Sequence, residues 1–374
     1  MKKLLFFALI LIGGYALYTE ASKRKAEFSK VYNEACEGNP FKDTSQREQA
    51  MEDGYAINEQ YKCIDKKSYQ AGQVQRRKWD QAKLERERLE KVLASQTLAE
   101  ARKNYLTTTE DDTDEREATP TPPANLFIRS DYQTADGLSL VSFISPDPKD
   151  QVKHPAIIWL TGGDSNSLGD FWTPGPSSND QTASALRRAG LIMMFPSLRG
   201  GNTNPGKREF FFNEVNDVIA AAAHLARQPY VDPKKIYLGG HSTGGTLALL
   251  TAEMGAKFSG VFALGPVAEI DSYDRLFPQL RSGARTKEVR LRSPIYWLHG
   301  VTSPTYLIEG TESPNIDPLN QLCSKSKNPQ IHCLRVEAAN HFSVIDRAAK
   351  AISTSILTRT GDVELSLPES AFHQ

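Results

Sequence analysis

Residues 236–253 read IYLGGHSTGGTLALLTAE: an apolar run, a cluster of glycines around one serine, and a stretch rich in alanine and leucine. Gly240, Ser242 and Gly244 form the pattern G-x-S-x-G. We predict a strand before the serine and a helix after it, the context in which this pattern makes a sharp turn that exposes the hydroxyl. Neighbouring chains pass close to such a turn, which favours glycine. The stretch therefore predicts a nucleophilic serine above the edge of a sheet.

Short apolar segments alternate with helix-like segments from about residue 125 onward. The predicted strands are residues 138–144, 156–160, 191–196, 236–239, 261–264, 305–308 and 331–336, and the predicted helices are residues 181–189, 213–227, 243–254 and 343–357. Near-continuous apolar strands that alternate with helices are typical of a mostly parallel sheet covered on both faces. The predicted fold class is α/β.

The N-terminal third has a different composition. Residues 1–21 place two lysines before an apolar run, which is typical of a signal peptide or a marginal membrane anchor. Residues 22–106 are charged and rich in helix formers, and residues 107–124 combine an acidic run with prolines, the composition of a linker. We therefore expect a helical appendage, a linker, and a catalytic domain at residues 125–374.

Charge and cysteine content restrict the partners and the compartment. The 45 basic residues balance the 45 acidic ones, so nothing indicates nucleic-acid binding. The four cysteines form two local pairs, Cys36 with Cys63 and Cys323 with Cys333, whose spacing matches no zinc site and suggests two disulfides. With the N-terminal run, this predicts the cell envelope, with the periplasmic side favoured and the N-terminus associated with a membrane.

A serine hydroxyl attacks a carbonyl only when a base removes its proton. His341, within residues 336–346 (VEAANHFSVID), lies between the last predicted strand and the last predicted helix. That is the expected position when the partners follow the chain order Ser, acid, His. His299, in the loop between the strands at 261–264 and 305–308, is the alternative base. His241 directly precedes the serine, and we expect it to point away at the turn.

The acid that orients the histidine should follow the strand at 305–308, within IEGTESPNID (residues 308–317). The position about three residues beyond the strand-end glycine holds Ser313 instead of aspartate. Glu312 and Glu309 are the favoured candidates, and the sequence does not separate them. Asp317 lies further along the loop. Glu269 and Asp271, which follow the strand at 261–264, are alternative candidates for the acid.

Two backbone N–H groups should stabilise the oxyanion. One is that of Thr243, directly after the nucleophile, and the second should come from Gly162 or Gly163 in the sequence LTGGDSNS (residues 160–167). The glycines there belong to neither of the common phosphate-binding patterns, so a phosphate site is a weaker interpretation. The residues imply no cofactor and no metal.

These motifs resemble an α/β-hydrolase, close to the prolyl oligopeptidase catalytic domain and to dienelactone-hydrolase-like serine hydrolases. The resemblance is carried by PYVDPKKIYLGGHSTGG (residues 229–245), FPSLRGGN (195–202) and NHFSV (340–344), and it extends over about residues 125–357. It implies Ser242 as nucleophile, His341 as base, and Gly162, Gly163 and Thr243 as oxyanion donors. The chain departs from the family pattern at Ser313, and a helical segment precedes the domain in place of a β-propeller.

We therefore predict a serine hydrolase that cleaves an ester, or an amide or peptide bond, through an acyl-enzyme. The expected substrate is a small ester or a short peptide, with the ester favoured. One alternative is a catalytically inactive hydrolase-fold binding or scaffold protein of the cell envelope. Another is an envelope protein whose functional part is residues 22–106.

The segment between the strands at 261–264 and 305–308 is expected to cap the substrate pocket. Its aromatic residues Tyr273, Phe277, Tyr296 and Trp297 are candidates for an apolar wall.

Overall fold

A computed structural model describes residues 95–111, 117–273, 275, 277, 287–359 and 365–372, and the single positions 74, 77, 78, 80, 81, 84 and 91. Packing divides the chain into the units Met1–Lys91 and Val92–Gln374. The second unit contains the sheet. Residues 95–106, which the sequence assigned to the N-terminal helical region, therefore belong to the second unit, as do residues 107–124, the predicted linker.

The predicted N-terminal signal or anchor (residues 1–21) and the pair Cys36 and Cys63 lie outside the described residues. In the part of the chain that the structure describes, no helix is both long and apolar enough to cross a membrane.

Eight of the described strands form one sheet, in the order β1-β4-β6-β5-β7-β8-β9-β10. Their bounds are β1 Ile128–Arg129, β4 Ser142–Ile144, β5 His154–Leu160, β6 Ile192–Pro196, β7 Val231–His241, β8 Val261–Leu264, β9 Thr305–Gly310 and β10 Ile331–Val336. The strands β2 Tyr132–Gln133 and β3 Ser139–Leu140 pair separately. β1 and β4 are antiparallel to their neighbours, and the pairs from β6 through β10 are parallel. The mostly parallel α/β sheet is confirmed.

The helices of the described chain are α1 Leu98–Arg102, α2 Ser184–Arg188, α3 Glu214–Leu225, α4 Thr243–Glu253, α5 Lys287–Arg290, α6 Ile316–Lys325 and α7 Val344–Leu357. Alternate residues of β8 and β9 enter two separate apolar clusters. Phe262 and Ile308 pack with α2 and α7, whereas Ala263 and Leu307 pack with α4 and α6. Helices therefore cover both faces, as a buried parallel sheet requires.

The strands β8 and β10 have the predicted bounds, but the predicted strand at 138–144 is divided into β3 and β4. Helix α6 was not predicted. It carries Cys323, which forms a disulfide with Cys333 of β10, the pairing expected from their spacing.

The parallel strands bring five chain segments to one edge of the sheet. Gly162 and Gly163 follow β5, Ser242 follows β7, Gly265 follows β8, Glu309 lies near the end of β9, and His341 follows β10. The carboxyl edge of an open α/β sheet is where ligands bind. The fold therefore gathers the predicted site residues at that edge.

Candidate active site

The turn at Ser242 is strained, and glycines two residues before and after the serine make it possible. Ser242 has φ 57° and ψ −116°, in a region that costs a non-glycine residue about 1–3 kcal/mol. A Cβ atom on Gly240 would overlap the Gly244 carbonyl, and one on Gly244 would overlap the Leu160 carbonyl. The glycines on both sides of the serine thus allow β5, β7 and α4 to approach one another at the turn.

Backbone hydrogen bonds hold the turn to its neighbours. The Ser242 N–H donates to the Leu264 carbonyl at 2.8 Å, and the Ser242 carbonyl accepts from Thr246 N at 2.8 Å, which begins α4. Thr243 is the first residue of that helix, so the free N–H groups of the helix N-terminus lie next to the serine. The serine is fixed where a helix dipole favours developing negative charge.

Glu309 is the carboxylate that contacts the predicted base. Its Oε2 lies 2.8 Å from His341 Nδ1, and its side chain is completely buried. Its other oxygen, Oε1, accepts a hydrogen bond from Gly310 N at 2.7 Å. Because both carboxylate oxygens face donors, the Glu309 side chain is fixed and holds the His341 ring in one orientation.

The structure does not bring the other candidate acids to the His341 ring. Glu312 is exposed, and its backbone N–H is bonded to the Ala339 carbonyl. Asp317 is exposed in the first turn of α6. Glu269 has Tyr296 as a side-chain partner. Of the two carboxylates favoured from the sequence, the geometry therefore selects Glu309 and argues against Glu312.

The serine and the imidazole both contact the carboxyl end of β8 and the residue after it. The Ser242 N–H is bonded to Leu264, and a Cβ atom on the next residue, Gly265, would lie 2.8 Å from His341 Nδ1. Among the described residues the His341 ring is hydrogen-bonded to Glu309, Asn315 Nδ2 lies 3.1 Å from the same Nδ1, and no hydrogen bond joins the ring to the Ser242 hydroxyl. Such bonds are often long before substrate binds and tighten in the complex.

The buried residue His241 is hydrogen-bonded to the backbone of the loop that carries His341. Its Nε2 lies 2.7 Å from the His341 carbonyl, which can only accept, so Nε2 carries the proton and Nδ1 is left as an acceptor. Gln181 Nε2 lies 3.1 Å from that Nδ1 and donates to it. Burial and the neighbouring His341 lower the pKa of His241 to about 3, so His241 stays neutral. We expected His241 to point away at the turn, whereas its ring centroid lies 4.4 Å from that of His341.

The oxyanion loop after β5 leaves one of its two glycines available. Gly162 N donates to Gln181 Oε1 at 3.1 Å, so this N–H is occupied, contrary to its predicted role. Gly163 has φ +75°, and its carbonyl accepts from the Thr243 hydroxyl at 2.9 Å, which ties the loop to the start of α4. The geometry thus favours the N–H groups of Gly163 and Thr243 as the oxyanion donors.

Tyr273 has a polar role in addition to its predicted apolar one. Its buried hydroxyl lies 3.0 Å from Thr246 Oγ1, which also accepts from Val267 N at 3.1 Å. The Ser242 side chain is a further hydrogen-bond partner of this hydroxyl. Burial raises the pKa of Tyr273 to about 12, so the hydroxyl keeps its proton. The cap segment therefore supplies a hydrogen-bonding group beside the nucleophile.

Two other residues of the segment after β8 are used elsewhere. The Trp297 side chain is fully buried and donates from Nε1 to the Arg290 carbonyl at 2.7 Å, so it packs in the interior instead of lining a pocket. His299, the alternative base, has its Nε2 2.8 Å from the Gln96 carbonyl. These contacts argue against the sequence-based roles of both residues.

A pocket of about 330 Å³, counting its open mouth, begins at Gly163 of the oxyanion loop. Its apolar side is formed by Phe210, Phe211, Phe277 and Leu247. Phe277 belongs to the segment predicted to cap the pocket, whereas Phe210 and Phe211 come from the connection between β6 and α3. These four apolar side chains suit an apolar group, and the rest of the lining includes the polar residues Asp164, Asn166, Arg208 and Glu214.

The fold and the nucleophile turn define this chain as an α/β-hydrolase. The sequence profile of the prolyl oligopeptidase family (Peptidase_S9) matches residues 176–347. The uncharacterized peptidase YtmA of Bacillus subtilis (strain 168) is 24% identical over 229 residues, which cover 58% of this chain and 86% of that protein. The dual function macrocyclase-peptidase POPB of Galerina marginata is 31% identical over 126 residues, 32% of this chain and 16% of that protein.

Among solved structures, the Pyrococcus furiosus esterase Pf2001 in space group P21 covers 66% of this chain and 99% of its own, with 17% identity and a TM-score of 0.50. The chain thus spans most of the length of the Bacillus protein and of the esterase, but a small part of the length of the Galerina protein. It carries a prolyl oligopeptidase-like catalytic domain and is a serine hydrolase.

Sequence reasoning missed Gln181, Asn315 and the contact made by His241. Gln181 lies in a segment predicted as helix. Only the fold brings its amide to Gly162, which follows β5, and to His241, the last residue of β7. Asn315 Nδ2 lies 3.1 Å from His341 Nδ1 and comes from the loop searched for the acid. The sequence offered one signal for Asn315: its amide lies in the loop predicted to carry the acid, and residues of that loop face the histidine.

Proposed function

We propose that this serine hydrolase cleaves carboxylic esters through an acyl-enzyme, with Ser242 as nucleophile, His341 as base and Glu309 as the orienting acid. The observation that carries this proposal is the 2.8 Å contact between the buried Glu309 carboxylate and His341 Nδ1. It places a proton on Nδ1 and leaves Nε2 as the acceptor that a nucleophilic hydroxyl requires.

In the acylation step the Ser242 oxygen bonds to the ester carbonyl carbon while its proton passes to His341 Nε2. The tetrahedral intermediate then collapses, the bond to the alcohol oxygen breaks, and His341 returns the proton to the leaving alcohol. In deacylation, water gives a proton to His341 while its oxygen bonds to the acyl carbon. The bond from that carbon to the Ser242 oxygen then breaks, and His341 returns the proton to the serine. Glu309 stabilises the imidazolium that forms in each half of the reaction.

The negative oxygen of each intermediate would be held by the N–H groups of Gly163 and Thr243. The hydrogen bond from the Thr243 hydroxyl to the Gly163 carbonyl supports this assignment, because it fixes the two donor peptides relative to each other. Fixed donors need no reorganisation during the reaction, and a single donor contributes about 3–4 kcal/mol to the rate in well-studied cases.

The pocket lining favours an apolar acyl group of modest size. Phe210, Phe211 and Phe277 line the space beside Gly163, where the acyl group of a bound ester would lie. Amides or short peptides are the second candidate class, since the family match and the name of the Bacillus relative both point to peptidases. A location in the cell envelope stays a prediction.

The experiment is to treat the purified full-length protein with a fluorophosphonate probe, alongside Ser242→Ala and the control Ser324→Ala. Ser324 is an exposed serine of α6. Labelling of the wild type and the control, but not of Ser242→Ala, is expected. Labelling that persists in Ser242→Ala, or an unlabelled but folded wild type, would overturn the proposal. Hydrolysis of acetyl, butyryl and octanoyl p-nitrophenyl esters, compared with aminoacyl p-nitroanilides, then separates the two substrate classes.

A further inference from the structure

The wall of the pocket contains a strained turn. Phe210 and Phe211 have φ values of +50° and +72°, in the left-handed region that L-residues with bulky side chains rarely adopt. A residue in this region is strained and persists only where its surroundings impose it. The two rings are therefore placed in the pocket by contacts from outside the turn.

Arg102, the last residue of α1, supplies part of those contacts. Its guanidinium donates to the Phe212 carbonyl at 2.6 Å and to the Phe211 carbonyl at 3.0 Å. It also donates to the Leu291 carbonyl from two nitrogens, at 3.1 and 2.6 Å. Helix α1 begins at a capping box formed by Thr97 and Glu100, which fixes the short helix that presents the arginine.

Arg292 holds the other half of the turn. Its Nε donates to the Phe210 carbonyl at 2.9 Å and to the Glu209 carbonyl at 3.2 Å. Both guanidinium groups lie over the Phe212 ring, that of Arg102 at 4.7 Å and that of Arg292 at 4.9 Å from its centroid. Four consecutive carbonyls, those of residues 209–212, are thus bound by two buried arginines.

Two buried cations so close together repel each other. Burial and the Arg292 charge lower the pKa of Arg102 to about 9, and Glu214, Glu253 and Glu209 oppose that shift. Arg102 therefore stays charged at neutral pH. A methionine at this position would remove the repulsion but leave the buried carbonyls without these donors, which is unfavourable.

The turn connects this pair of arginines to the nucleophile. The Phe211 ring stacks on Tyr273 with centroids 5.8 Å apart and an angle of 14° between the planes. The Tyr273 hydroxyl in turn has Thr246 and Ser242 as partners. Phe210 and Phe211 also line the pocket beside the oxyanion loop.

We propose that Arg102, contributed by the segment before the α/β sheet, is a positioning residue that sets the shape of the acyl pocket through the Phe210–Phe211 turn. It determines which acyl groups the enzyme accepts and makes no contact with the reacting atoms. This inference rests on the proposed function, because it requires that the pocket beside Gly163 receives the acyl group.

The test compares Arg102→Lys with Lys103→Met, a change at the exposed neighbouring residue. Both variants are assayed on acetyl and octanoyl p-nitrophenyl esters. We expect Arg102→Lys to change the octanoyl-to-acetyl ratio of kcat/KM about ten-fold or more, mainly through KM for the octanoyl ester, since a change in pocket shape acts on groups that fill the pocket. The kcat for the acetyl ester should stay within about two-fold. Lys103→Met should leave the ratio unchanged.

A variant in the wall itself covers the case in which Arg102→Lys fails to fold. Phe211→Leu should change the same ratio in the same direction as Arg102→Lys, and the double variant should change it little further, because both act through one turn. The inference is overturned if Arg102→Lys folds and keeps the wild-type ratio, or if Phe211→Leu does. If the wild type hydrolyses no ester and takes no fluorophosphonate label, the proposed function itself is wrong. That result differs from an active wild type whose ratio is unaffected by Arg102→Lys, which overturns only the inference about Arg102.

Discussion

Replacement of Glu309 by glutamine should remove most of the activity while leaving the fold intact. In the wild type, both carboxylate oxygens are acceptors facing donors, His341 Nδ1 at 2.8 Å and Gly310 N at 2.7 Å. A glutamine amide has one oxygen and one NH₂ group, so it can accept from only one of these donors. If the oxygen stays on Gly310, the NH₂ group faces Nδ1 and forces the His341 proton to Nε2, the atom that must accept the serine proton.

The size of the effect follows from that tautomer change and from the lost carboxylate charge beside the imidazolium. The Glu309 side chain is completely buried, so water cannot take its place. We expect kcat to fall by about 10⁴-fold, the loss seen when the acid of a serine triad is replaced by its amide. At about 1.4 kcal/mol per factor of ten, this corresponds to about 5.5 kcal/mol of transition-state stabilisation.

The assay is single-turnover release of p-nitrophenol from an acetyl ester, with thermal unfolding of each variant as a check on folding. Glu312→Gln is the matched control, since Glu312 is exposed three residues along the chain and should retain activity within about two-fold. If Glu309→Gln keeps wild-type kcat, or Glu312→Gln loses it, the assignment of the acid is refuted.

Three further predictions concern groups around the serine. The pKa of His241 is lowered to about 3 from an ordinary value of 6.5, so the unfolded chain binds more protons between those values and stability should fall as pH drops through that window. His241→Gln should flatten that dependence, by up to about 1.4 kcal/mol per pH unit in urea denaturation; an unchanged slope would contradict burial of a neutral ring. Tyr273→Phe should lower kcat for the acetyl ester about 10- to 100-fold with little change in Tm, and an unaltered kcat would remove this hydroxyl from the account. Gly244→Ala should destabilise the fold by about 3 kcal/mol or more, because its Cβ would overlap a β5 carbonyl, whereas Gly169→Ala, with its nearest contact at 3.6 Å, should stay within about 0.5 kcal/mol in the same measurement.

The sheet was predictable because its strands are buried on both faces and therefore appear as apolar runs. The residues of β8 are all buried, and its bounds match the prediction. Helix α6 was missed because its sequence, IDPLNQLCSK, has a proline near its start and few apolar residues, and it follows a segment interpreted as a loop. Proline is tolerated in the first turn of a helix, so Pro318 lies at the start of this helix and does not interrupt it.

Local sequence placed Ser242 and His341 at the sheet edge but could not choose between Glu309 and Glu312. The choice depends on side-chain direction at the end of β9, where Glu309 is buried and reaches the His341 ring. Gly265 leaves room for that contact, since any Cβ there would overlap the ring. The spacing of Glu309 and Glu312 along the chain carries no information about the free space beside Gly265.

The role of the segment 95–106 was also beyond the sequence. Arg102 looks like one of many charged residues in a helical stretch, and its four hydrogen bonds go to carbonyls about 110 and 189 positions away in the chain. Contacts of that range are set by the tertiary fold and leave no local pattern.

The most direct measurement is a crystal structure of the protein after reaction with the fluorophosphonate. We expect phosphorus bonded to Ser242 Oγ, the His341 Nε2 within about 3.2 Å of that oxygen or of the phosphonyl group, and the phosphonyl oxygen at the N–H groups of Gly163 and Thr243. A phosphonylated Ser242 with the His341 ring turned away from it, or phosphorus on another residue, would contradict the central claim.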